Sequence, residues 1–185
     1  GAGRFDEANR WLYHGLILAA ALAATLVALI AAAPLVMLHM PINREVLTGS
    51  VAFLHALNWG TPTLFLYFTL RRYLQAFNHV RPIAAALVTA NLLNFAGDWL
   101  LIYGHAFGQI HIPALGIYGA GLSTSISRAY LALFLVAAIW RVEHKHSYGL
   151  RSTLRHIETS RLRRLTLLGA PAGGQIFVEI AIFGT

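Results

Sequence analysis

The sequence predicts an all-α, polytopic membrane protein with about five transmembrane helices. Three observations predict it. Hydrophobic residues make up 57% of the 185 positions and charged residues only 11%, against about a quarter charged in a soluble domain. Apolar runs close to the ~20 residues needed to cross a hydrocarbon core recur five times. The basic residues collect between those runs rather than on one face of a soluble fold, so the net charge of +7 is read as topology and no nucleic-acid partner is expected. The chain has no Cys, which excludes disulfides, thiolate metal sites and Cys nucleophiles.

The first span is expected over 14–38, without a charge, after a polar lead-in at 4–11 that would place Trp11 and Tyr13 at headgroup level. Pro41 and Arg44-Glu45 mark a turn. The second span, 46–70, carries Gly60-Thr61-Pro62; Pro62 lacks a backbone donor, so a kink is expected there. His55 and Asn58 share that face, with Asn58 read as lining a cavity or bonded to a neighbouring helix. A basic loop at 71–82 ends in Pro82, suited to the first turn of the third span, 83–103. The loop at 104–114 contains His105 and His111, read as solvated side chains because nothing nearby completes a metal site. The fourth span, 115–140, opens with Gly116, Gly119, Gly121, Ser123, Thr124, Ser125 and Ser127, a small face that lets membrane helices approach closely. A basic loop, 141–164, precedes a fifth apolar run over 165–185. No secretory signal peptide is visible, and the chain stops inside an apolar run at Phe183-Gly184-Thr185. Both ends are therefore expected to be cuts through a longer protein.

Within the third span, Asn91, Asn94 and Asp98 fall at i, i+3 and i+7, on one stripe of a helix otherwise covered by Leu, Phe, Ile and Trp. An ionised Asp facing lipid costs about 2.5–3.5 kcal/mol on the lenient insertion scale, so the stripe must face protein or a wet cavity. Arg128 and Glu179 are the other two formally charged residues inside the spans.

Alternate loops share a side. One side holds twelve Lys and Arg and the other Arg44 alone, so the positive-inside rule puts the loops at 71–82 and 141–164 in the cytoplasm of a multi-pass plasma (inner) membrane protein. At about 1.5 Å per residue, Asp98, Thr124 and Glu179 then fall in the outer half or near the middle of the bilayer. Arg128 falls close to the midplane.

A buried carboxylate beside amides and hydroxyls suits reversible binding of a proton or Na⁺, because burial raises its pKa and the neighbouring oxygens are hard ligands for a small cation. No other cofactor is expected. An intramembrane hydrolase is disfavoured: Ser123, Ser125 and Ser127 have no His at a defined intramembrane position and Gly-x-Ser-x-Gly is absent. No enzyme activity is therefore expected.

An ordered series of motifs runs through nearly the whole chain: Arg71-Arg72-Tyr73-Leu74-Gln75, Arg81-Pro82, Asn91 to Gly104, Pro113 to Thr124, and Gly169-Ala170-Pro171 followed by Glu179. It resembles the multidrug and toxic compound extrusion (MATE) family, in its NorM-like branch. The resemblance implies twelve spans in two six-helix lobes, of which this chain supplies spans three to six (1–140), the inter-lobe loop (141–164) and the start of span seven (165–185). It further implies export of small organic, often cationic, compounds in exchange for protons or Na⁺ by alternating access. Asn94, Asp98 and Thr124 match the first-lobe cation site of some members, and Glu179 the acid of a second-lobe site. NorM-like members often carry Asn where this chain has Asp98, which leaves the coupling lobe open. Asn91, Asn58 and Arg128 are expected only to line the cavity. The alternative of a lipid-linked oligosaccharide flippase would call for several inward-facing basic residues, and Arg128 is the single intramembrane one.

Overall fold

The structure, a computed structural model, describes residues 5–107, 110–146, 149–150 and 157–183. Helix α1 (Phe5–Met37) is followed by α2 (Arg44–Asn58), α3 (Thr61–Ala76) and α4 (Val80–Tyr103). A short hairpin of β1 (His105–Phe107) and β2 (Ile110–Ile112) leads to α5 (Gly116–His146) and α6 (Thr159–Phe183). Among the described residues α1, α4 and α5 are each long and apolar enough to cross a membrane.

Helix α1 has 33 residues, about 50 Å at 1.5 Å per residue, well beyond a ~30 Å hydrocarbon core. The polar residues from Phe5 onward therefore belong to the helix itself rather than to a lead-in. Asp6 and Glu7 in its first turn complement the positive end of the helix dipole. Helix α2 begins on Asn43, whose side chain accepts the Glu45 N–H at 2.8 Å, as an N-cap should.

The stretch expected as one kinked span, 46–70, is two helices of 15 and 16 residues. Pro62 in the first turn of α3 supplies no donor, so the hydrogen-bond ladder stops at Asn58 and restarts at Thr61. Trp59 and Gly60 nevertheless keep right-handed helical angles, so α3 continues from α2 after a local break.

Helix α4 ends on Gly104, at φ 67°, a conformation that favours glycine. A Cβ there would also lie 2.5 Å from the Ala114 nitrogen. The loop that follows is partly strand: β1 and β2 pair antiparallel, with His105 opposite Ile112 and Phe107 opposite Ile110. The helices around the expected 141–164 loop also run further into it. Helix α5 reaches His146, with Trp140 and His144 stacked one turn apart at 6.2 Å between ring centroids, and the Glu143 carboxylate accepts the Leu150 N–H at 3.0 Å. At the far end the Glu158 carbonyl accepts from Arg161 and Leu162 and starts α6.

Helix α5 is the central element and packs against α2, α3 and α4. Contact is possible because side-chain atoms are missing where backbones meet. A Cβ on Gly119 would lie 2.5 Å from the Leu101 carbonyl oxygen, and one on Gly121 2.8 Å from that of Phe53. A Cβ on Gly97 of α4 would fall 2.5 Å from the Ser123 hydroxyl. Nearer the basic loops, the apolar core joins Leu12 of α1, Tyr67 and Leu74 of α3, Ile83 of α4, and Leu135 and Ile139 of α5. Large apolar side chains such as Leu29, Phe95 and Leu133 point outward, as they do on helices that face lipid or further spans.

The start of α6 is fastened to α1. Glu158 donates its backbone N–H to Nε2 of the fully buried His14, at 2.8 Å, and its carboxylate accepts from Arg161 at 2.6 Å and from Arg10 at 3.4 Å. The guanidiniums of Arg161 and Arg164 lie over the Trp11 ring, 5.0 and 5.9 Å from its centre, within cation–π range. The hydrogen bond from Arg161, helped by the charges of Arg161 and Arg10, holds the Glu158 carboxyl below the usual carboxylate range against a smaller opposing effect of burial.

Gly121→Val is expected to cost about 1–3 kcal/mol by overpacking α5 against α2, read as a lower unfolding midpoint in detergent. Gly169→Ala, with nothing within 4 Å of the added carbon, should not lower that midpoint. Because the Glu158 carboxyl titrates lower folded than unfolded, its contribution is present above the unfolded value of about 4.3 and is lost as pH falls through the folded value. Arg161→Gln should move the Glu158 titration upward in a carboxyl NMR experiment.

Candidate functional site

The polar stripe of α4 divides into three different environments. Asn91 is exposed and donates to the Leu87 carbonyl of its own helix at 3.0 Å. Asn94, half-buried, faces α5: its Nδ2 donates to the Ser123 hydroxyl at 3.2 Å, and that hydroxyl donates to the Asn94 carbonyl at 3.0 Å. The reciprocal pair lies one turn from the Gly97 contact, which brings the two helices close enough for so short a side chain as Ser to reach. Asp98, one turn beyond Asn94, is half-buried, and its Oδ1 is a buried acceptor with no hydrogen-bond partner among the described residues.

Thr124 lies beside Ser123 in sequence, but its hydroxyl donates to the Ala120 carbonyl at 3.0 Å. Among the described residues no hydrogen bond joins Asp98 to Asn94 or Thr124. The structure therefore brings Asn94 onto α5 through Ser123, and leaves the Asp98 oxygen as the unsatisfied group of the set. Leaving a buried acceptor unmade costs about 1–3 kcal/mol, and the usual remedy in a native structure is a proton, a water or an ion. Glu179 lies on α6, and its side chain is outside the described residues. No group of three His, Asp or Glu that could hold a metal ion occurs among the described residues, so any cation at Asp98 would rely on hydroxyl, amide and carbonyl oxygens.

A second polar cluster surrounds the α2–α3 break. Asn58 Nδ2 donates to the Val27 carbonyl of α1 at 3.1 Å, while its Oδ1 is buried without a partner among the described residues. The buried Ser125 hydroxyl accepts the Gly60 N–H at 3.0 Å and donates to the Ala56 carbonyl at 2.7 Å. Both groups belong to the interrupted turn, so one α5 side chain replaces part of the missing ladder. Arg128, one turn further along α5, is half-buried; a Cβ on Gly60 would lie 3.0 Å from its Cδ. Among the described residues it forms no ion pair.

Sequence reasoning named Ser123 and Ser125 as parts of a small face and as poor nucleophiles. It did not identify them as the partners of Asn94 and of the helix break. The available signal was the small-xxx-small spacing of Gly119 with Ser123 and of Gly121 with Ser125. His105 is likewise not simply solvated: its ring lies 3.7 Å from that of Trp99 between centroids.

The model of the family described as MatE matches residues 1–100. The chain is 34% identical to a probable multidrug resistance protein NorM of Geobacillus kaustophilus over 186 aligned residues, covering 99% of the chain and 40% of that protein. It is 27% identical to the multidrug resistance protein NorM of Vibrio cholerae, covering 99% of the chain and 39% of that protein. A probable multidrug resistance protein NorM of Acinetobacter baylyi is 30% identical over 72% of the chain. The chain thus spans about two fifths of the length of the first two of these relatives.

Ser125→Ala is expected to destabilise by about 1 kcal/mol, the net worth of one intramolecular hydrogen bond, because the Gly60 N–H keeps a second acceptor in the Leu57 carbonyl at 3.1 Å. The loss should appear as a lower unfolding midpoint together with faster amide hydrogen exchange at Gly60.

Proposed function

The chain belongs to the MatE family, and from that premise we propose that it is part of a cation-coupled multidrug efflux antiporter. The complete protein would export small organic, often cationic, compounds in exchange for protons or Na⁺, by alternating access across the plasma (inner) membrane. The chain would supply spans three to six of one lobe and the beginning of span seven. Its basic segments 71–82 and 141–164, which include helix ends, would face the cytoplasm, in keeping with the twelve-to-one distribution of Lys and Arg. The printed names of the relatives, which concern multidrug resistance, favour the same reading.

The observation that carries it is the buried, unsatisfied Oδ1 of Asp98 in an apolar helix. A carboxylate is expensive in a membrane and is kept where it pairs or binds something. Protonation gives that oxygen a hydrogen to donate; Na⁺ gives it a charge to neutralise. Asn94 and Thr124 would supply neighbouring oxygens on α4 and α5, and Asn58 and Arg128 would line the cavity around the helix break. Glu179 would serve the corresponding site of the second lobe. No enzymatic step is part of the proposal: the Ser123 and Ser125 hydroxyls are committed to the Asn94 and Ala56 carbonyls.

In the complete protein, Asp98→Asn and Glu179→Gln together should abolish ion-driven efflux of a fluorescent organic cation from everted vesicles, while the protein is inserted at normal levels. Unchanged efflux in that double variant would exclude both acids as coupling groups.

A further inference from the structure

We propose that His14 and Glu158 form a proton-sensitive latch that fastens the start of α6 to α1. His14 is fully buried, and its two ring nitrogens face partners with fixed roles. Nδ1 lies 2.8 Å from the Arg10 carbonyl, which can only accept, so Nδ1 carries the hydrogen. Nε2 lies 2.8 Å from the Glu158 backbone nitrogen, which can only donate, so Nε2 presents its lone pair. One neutral tautomer alone satisfies both bonds. A second proton would set one N–H against another at that distance, and the Glu158 N–H would lose its acceptor.

The groups around the ring do not prepare a place for that charge. From α1 come Arg10 and the edge of Tyr13, 5.8 Å away between ring centroids. The adjoining groove, which His14 does not line, carries Glu7 and Trp11 of α1 and Arg72 and Tyr73 of α3. From the α6 side come Glu158, Arg161 and Arg164. The Glu158 carboxylate already receives Arg161 at 2.6 Å and Arg10 at 3.4 Å. A positive ring would therefore join an excess of guanidinium groups. The deprotonated latch holds α6 on α1, and the protonated one releases it. The purpose of such a latch rests on the efflux reading, in which α6 opens the second lobe; its existence does not.

The test is a distance measured in the full-length protein in lipid nanodiscs, with spin labels on Asp6→Cys and Arg163→Cys, both exposed positions. A single short distance is expected at pH 8, with a second, longer population appearing by pH 5. His14→Gln keeps one donor and one acceptor on the side chain and should hold the short distance at both values. A distance that does not change with pH, or a transition that survives His14→Gln, would overturn the latch. Should His14→Gln fail to fold, nitrogen NMR of labelled histidine in the otherwise native protein decides. His14 must be the Nδ1–H tautomer at pH 8 and become imidazolium over the pH range in which the distance changes; titration in any other range also overturns it. Neither measurement requires transport, so failure of the latch and failure of the efflux proposal are read separately.

Discussion

The packing of this chain depends on backbones that touch where side chains are absent. Helix α5 meets α4 at Gly97 and Gly119 and meets α2 at Gly121, and in each place an added carbon would collide with a neighbouring oxygen at 2.5–2.8 Å. Between membrane helices there is little hydrophobic drive, since lipid tails are as apolar as Leu, and close contact is what association relies on. Once α5 lies that near its neighbours, a short Ser side chain can span the gap. Ser123 reaches Asn94 and Ser125 reaches the α2–α3 break for this reason.

The same closeness sorts the polar groups of the interior. Asn91 is satisfied by its own helix, Asn94 by α5 and Ser125 by the broken turn. What remains is a short set of buried oxygens without partners among the described residues, notably Asp98 Oδ1 and Asn58 Oδ1. In an apolar medium such atoms are costly unless something visits them. The packing of α4 on α5 thereby turns a general polar stripe into one specific acceptor.

Much of this was legible in the sequence, and the remainder was hidden for identifiable reasons. The Asn91, Asn94, Asp98 stripe followed from helical spacing, and the α2–α3 interruption from Pro62, because both are local properties of the chain. The depth of the interruption was not, since it depends on Ser125, far away in sequence, supplying bonds to the free groups. The β1–β2 hairpin escaped notice because strands of three residues leave almost no periodicity. The longer reach of α5 and α6 into the basic loop depends on the Leu150 and Glu158 backbone contacts with Glu143 and His14, which join residues up to 144 positions apart. Glu179 was legible as an acid in an apolar run, but its surroundings lie beyond the described side chains.

Trp11 has a further consequence. From sequence it reads as an indole resting among lipid headgroups, an anchor for α1 alone. In the structure two guanidinium groups of α6 occupy the place over its ring. The first and last described helices of the chain thus meet at this one indole. A tilt of α1 that moves that indole would move the start of α6 with it, since the two guanidiniums rest on its face.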